Sequence, residues 1–229
     1  MTDAEFPRKD VVIQGEPGLA TAAGLAGTVL ISTAFWRYWL DIAIAELDRA
    51  VNARNLGLAA RAAGDEVGNA IRSETNASLV ATVAAAACVE SFSKTIAARA
   101  AMNFGSLGKT SKATSAVLST VFDVDPKGLE DRLRRLFDDR NEAIHSAETD
   151  DPTVPHPLGV STGKGNAFFT VERAAEAVTL AAQLLNECAN APKPNPHNSV
   201  VNSRLEGHRA SLAERASAVQ AIIGRIGQQ

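Results

Sequence analysis

The chain has 229 residues, 45% apolar and 21% charged, which suits one large domain and excludes three. Aromatic residues make up only 5%, so a core has to be built from Ala, Leu, Val and Ile, a composition that favours closely packed helices over sheets. A net charge of −3 excludes a global basic field, so any nucleic acid would have to meet a local basic patch. Cys88 and Cys188 lie in apolar helical patterns with no CxxC, as expected of small buried residues in a reducing cytoplasm. The start, Met1-Thr2-Asp3-Ala4-Glu5, has no basic n-region of a signal peptide, which agrees with a cytoplasmic location.

In chain order, residues 1–18 are expected to form a flexible arm broken by Pro7, Gly15 and Pro17, followed by a single helical domain over 19–229. Gly18 to Trp36 is free of charge, but it is diluted by Gly and Thr and runs into an amphipathic pattern carrying Arg37 and Asp41. It is therefore read as a packed helix, with no membrane as a partner. The first helix is expected over 28–55, with Trp36, Trp39, Leu40, Ala43 and Leu47 on one stripe, before a glycine-containing join at Gly57 and Gly64. A second helix, starting at Ser73 or Asn76 and running to Met102, is apolar on nearly every side, as a buried helix is. Phe104 to Gly108 breaks it, and a short helix over 112–122 leads to Asp125-Pro126, an N-cap with proline at the first helical position.

The helix from Pro126 to about Ser146 carries the candidate chemistry. With about 100° per residue, Leu133, Leu136, Phe137 and Ile144 fall on the face of Leu129, and Arg140 lies near the centre of that face. A buried guanidinium needs a carboxylate or a polar groove, and Glu90 is a charge of opposite sign on the otherwise apolar second helix. The two are expected to approach one another. His145 diverges from Arg140 by about 140° on a straight helix, so the two side chains converge only if the helix ends early or two copies meet. A histidine at this position also has a plain reading, a favourable contact with the helix dipole.

After the motif come a loop over 147–168 with three prolines, expected to be mobile and beside the site, and a helix capped by Thr170 that ends near Asn190. Pro192, Pro194 and Pro196 mark a hinge. The last helix, over 198–227, repeats Leu205, Leu212, Val219 and Ile226 at heptad spacing, which serves either packing on the bundle or pairing with another chain. No strand alternation is evident.

The segment Arg140-Asn141-Glu142-Ala143-Ile144-His145 resembles the Arg-x4-His motif of the HEPN family. Its surroundings agree: Ala87-Cys88-Val89-Glu90-Ser91-Phe92 on a buried helix comes first, and the Thr170 to Ala177 helix start follows. The resemblance covers about residues 65–190 and implies an all-α, HEPN-like up-and-down four-helix bundle, with extra N- and C-terminal helices (28–55 and 198–227) outside it. It further implies a homodimer whose Arg–His motifs line one cleft, and a metal-independent endoribonuclease that cuts RNA through its own 2′-hydroxyl. Arg140 would hold the phosphate, His145 would act as general base or acid and Asn141 would orient the phosphate or the imidazole, with Glu90, read above from the apolar stripes, supporting Arg140. A role as a toxin or anti-phage effector, with a cognate antitoxin or defence-system partner, follows by family analogy alone. A non-catalytic RNA- or protein-binding module, or a structural helical dimer, is the alternative.

No residue set calls for a metal or other cofactor. Arg132, Arg134 and Arg135 are candidate RNA contacts, although the acids Glu130, Asp131, Asp138 and Asp139 around them favour a mixed-charge surface. Ser161 to Gly165 lacks the spacing of a phosphate loop and is read as plain loop. His156, His197 and His208 are read as surface residues, and Trp36 and Trp39 as core.

Overall fold

A computed structural model describes residues 34–145, 153–193 and 205–228. The expected arm over 1–18, residues 28–33, residues 147–152, His197 and residues 198–204 lie outside them. The described chain is all-helical apart from one two-residue hairpin. Its elements are α1 (Phe35–Ala63), α2 (Gly68–Arg99), a 3-10 turn (Phe104–Leu107), α3 (Thr110–Val121), α4 (Pro126–His145), β1 (Val154–Pro155), β2 (Ser161–Thr162), α5 (Lys164–Phe168), α6 (Val171–Asn190) and α7 (Arg209–Ile223).

The helix α2 is the hub and packs on α1, α3, α4 and α6. It is long and apolar enough to cross a membrane by length and composition, yet more than half of its most apolar stretch is buried inside the fold. Ala81, Ala84, Ala85, Ala86, Cys88 and Val89 are almost inaccessible. Both cysteines are buried free thiols, and burial pushes each well above the ordinary thiol range. At one end of the bundle Trp36 meets Phe92 edge-on at 5.5 Å, and Phe92 stacks on Phe122 at 6.1 Å. Large rings are concentrated here, while alanines let the helices approach elsewhere.

Several boundaries differ from the sequence expectation. The helix α1 does not break at Gly57; it continues to Ala63 and stops at Gly64, which takes the left-handed conformation (φ 80°) of a C-cap. Gly57 is a packing notch: a Cβ there would stand 2.6 Å from a Leu158 methyl. The cap at the head of α4 forms as expected, with the Gly128 N–H donating to the Asp125 carboxylate at 3.3 Å. Thr170 occupies the N-cap position of α6 without a side-chain cap bond. Trp36, Leu40, Ala43 and Leu47 are buried, but Trp39 is 38% exposed and stands off the core stripe. The expected loop contains the β1–β2 hairpin and α5, and Leu158 at the hairpin tip is fully buried. The heptad residues Leu205, Leu212 and Val219 are buried against the chain's own helices, so that spacing is used for intrachain packing.

Candidate functional site

The site is built on the last turns of α4. The helix stays α-helical through His145, so an early end does not turn that side chain toward Arg140. Leu129, Leu133, Leu136 and Phe137 fix the rotation of α4 by burying one face. Ile144, expected on that face, is 56% exposed, and Asn141, Glu142 and His145 are exposed as well. Among the described residues no neighbouring helix extends over the final turn, which leaves Asn141, Glu142, Ile144 and His145 exposed.

Arg140 and Glu90 meet as expected. The Arg140 Nη1 donates to Glu90 Oε2 at 2.9 Å, linking α4 to α2. Both side chains are on the rim, 24% and 21% exposed, instead of sealed in the bundle. Glu90 also accepts from Lys94 Nζ at 2.7 Å. Asn141 acts on the arginine: its Oδ1 accepts from Arg140 Nε at 3.3 Å and Nη2 at 3.1 Å. The guanidinium is thus held from two sides, and the N–H donors that Glu90 and Asn141 leave over suit an oxyanion. An open groove beside it on α2 is lined by Ala87, Glu90, Ser91, Lys94, Thr95 and Ala98.

Two residues missed in the sequence complete this positioning. Arg173, in the first turn of α6, grips Asp139 through two bonds, Nε to Oδ2 at 3.1 Å and Nη2 to Oδ1 at 2.7 Å. Its guanidinium also lies 3.6 Å from the Phe168 ring centroid. Successive residues of α4 are therefore tied to different helices, Asp139 to α6 and Arg140 to α2. No spacing rule marks Asp139 or Arg173, since each belongs to a mixed-charge surface pattern.

The other arginines named from the sequence stand apart from this clamp. Arg134 is exposed and pairs with Asp131 at 3.0 Å and with Glu130 at 3.9 Å. Arg132 borders a cleft with Asp123, Asp125 and Glu187, and Arg135 is exposed without an ion pair among the described residues. The acids around α4 thus offset much of the local positive charge.

A second charged cluster was overlooked entirely, and it is buried. Arg54 on α1 is 4% exposed and Glu74 on α2 fully inaccessible. Arg54 donates Nε to Glu74 Oε2 at 2.8 Å and Nη2 to Glu74 Oε1 at 2.6 Å, and reaches Glu172 on α6 at 2.5 and 3.0 Å. The Val171 N–H donates to Glu74 Oε1 at 3.0 Å. Burial alone would push the Glu172 carboxyl up, but hydrogen bonds from Arg54, its own backbone and Thr170 outweigh that and hold it below the usual range. Burial likewise disfavours the Arg54 charge, and its bonds to Glu74 and Glu172 more than restore it. His156, expected at the surface, is buried beside this cluster, with Nε2 3.9 Å from Glu74 Oε1. His208 is also not free at the surface; its ring lies edge-on to Trp36 at 5.8 Å. The signal for the cluster was present, since Arg54 lies one heptad after Leu47 and Glu74 one turn after Ile71, both on apolar stripes.

Among the described residues no group of three or more His, Cys, Asp or Glu side chains is arranged to hold a metal ion. Compared with known proteins, the chain matches no family model, no curated protein and no solved structure at a significant level.

Proposed function

We propose that this protein is a HEPN-like endoribonuclease that cleaves RNA by transesterification, with its site completed by a second copy of the chain. The observation that carries the reading is the Arg140 guanidinium, held by Glu90 and Asn141 at the rim of the bundle, one turn before an exposed His145. Arg140 binds the scissile phosphate and the negative charge that develops on it. Because α4 stays helical, Arg140 and His145 point in different directions, and a partner copy brings one motif to face the other. Exposed Ile144 and the small-residue groove on α2 supply apolar surface for that contact.

In the reaction the RNA 2′-oxygen attacks the adjacent phosphorus while one imidazole takes its proton. The P–O bond to the 5′-oxygen breaks, and that oxygen receives a proton from the second imidazole or from water. The products are a 2′,3′-cyclic phosphate and a free 5′-hydroxyl. Neither redox change nor a resident metal enters the balance.

The test is cleavage of a mixed RNA pool in EDTA by the intact chain and by His145→Ala. Cyclic-phosphate ends and resistance of 2′-O-methyl RNA are expected. Activity that needs a divalent ion and cuts DNA equally well would sink the mechanism. A second reading, a non-catalytic RNA- or protein-binding module, has the Arg140–Glu90 ion pair in its favour, since it satisfies the arginine without chemistry. Failure of a folded dimer to cut any RNA selects that reading.

A further inference from the structure

We infer that the β1–β2 hairpin is a pH-operated latch, kept in the shape that docks Leu158 on the bundle by neutral His156 and released when that ring is protonated. The inference stands apart from the nuclease reading and rests on how the hairpin is docked. Leu158 at its tip fills the notch left by Gly57 on α1. Arg61 of α1 donates to the Leu158 carbonyl, and Gly159 (φ 72°) lets the chain turn beneath that guanidinium, where a Cβ would collide. The His156 N–H donates to the Val160 carbonyl at 2.8 Å, and the Gly159 N–H to the His156 carbonyl at 2.7 Å.

The ring itself fixes the proton state. The Leu158 N–H donates to His156 Nδ1 at 3.2 Å, so Nδ1 is an acceptor and the single proton of the neutral ring sits on Nε2. The side chain is wholly inaccessible, and among the described residues Nε2 has no hydrogen-bond partner. A second proton must go to Nδ1, where it would face the Leu158 N–H donor to donor in a site closed to water. Such a buried, unmatched donor is costly.

The charged neighbours do not rescue the cation. From α2, Glu74 is nearest, but its Oε1, the oxygen 3.9 Å from the ring, already accepts from both Arg54 and Val171. From α6, Glu172 is likewise paired with Arg54. From α1, Arg54 and Arg61 oppose a further positive charge. The short helix α5, which contacts β1, carries only Lys164. Burial, chiefly, and Arg54 shift the ring below the ordinary histidine value of 6.5, with Glu74 and Glu172 opposing them. A histidine depressed in the docked state stabilises docking above its free pKa and loses that contribution as the pH falls below it. Release therefore belongs to the acid side of about pH 6.5.

The experiment is amide hydrogen exchange on the full chain from about pH 7.5 to about pH 5, corrected for intrinsic rates, with the His156 ring nitrogens followed by NMR. The Leu158 and Gly159 amides are expected to lose protection several-fold as the ring protonates, while amides in the middle of α2 hold theirs. His156→Asn keeps an acceptor near the position of Nδ1 but cannot titrate, so its hairpin protection should not respond to pH. Hairpin protection independent of pH in the wild type, or an equal pH response in His156→Asn, overturns the latch. Should His156→Asn fail to fold, the wild-type ring decides: a proton on Nδ1 at neutral pH, or protonation without loss of protection, rejects it.

Discussion

Arg54 and Arg140 are both arginines on helices, each held by a carboxylate from α2, and the difference between them lies in water. Arg54 is sealed among α1, α2 and α6 and answered by two glutamates. Arg140 sits at the rim with one glutamate, an asparagine and donors to spare. A sealed guanidinium with every strong acceptor in place can organise a fold but cannot receive a ligand. One that keeps a quarter of its surface can do both. Burial, and not the presence of an ion pair, separates the structural cluster from the candidate site.

Removing Glu74 should break this contrast most severely. Glu74→Ala strands buried Arg54 and orphans the Val171 N–H, so urea unfolding should register a loss of about 3–5 kcal/mol. A loss below about 1 kcal/mol would mean that water or Glu172 can replace it. Gly57→Ala comes next. Better helix propensity gains about 1 kcal/mol, but overpacking against a fully buried Leu158 costs about 1–3 kcal/mol. Net destabilisation confined largely to the hairpin is expected, readable as faster exchange of the Leu158 amide.

The rim pair should respond more mildly. Glu90→Ala leaves Arg140 partly hydrated, so a stability loss of about 1 kcal/mol is expected, far below that of Glu74→Ala. Equal losses at the two glutamates, measured side by side, would erase the distinction. His145→Ala should be the quietest, within about 0.5 kcal/mol of wild type because the side chain is exposed. Under the nuclease reading it nevertheless lowers the cleavage rate by about 10²–10⁴-fold. Large stability change at His145 would assign it a structural role.

Much of the helical layout was legible because apolar residues recur at helical spacing, and the Asp125-Pro126 cap marked the head of α4 to the residue. The Glu90–Arg140 contact was legible by the same logic, a charge on each of two apolar stripes seeking its opposite. Gly57 misled because a glycine that breaks a helix and a glycine that admits a neighbour's side chain look alike in one dimension. Leu158, the residue that fills the notch, is about a hundred positions away. Arg54 and Glu74 met the stripe criterion and were passed over, and His156 carried no local signal at all. Ile144 kept the apolar period of α4 although the packing beneath it had run out, which periodicity cannot register.

The alanines of α2 have a consequence for how the chain becomes ordered. Ala84, Ala85 and Ala86 are buried almost completely, and so are Ala43 and Ala50 on α1. An alanine has no rotamers to freeze, whereas each buried leucine or isoleucine surrenders roughly 0.5–1 kcal/mol of side-chain freedom. Along this seam the ordering entropy falls on the backbone alone, which compensates in part for the modest apolar area each methyl removes from water. A bulkier side chain at 84–86 would act as a wedge between α2 and the helices packed around it. Among those helices is α1, which brings Arg54 to Glu74 on α2.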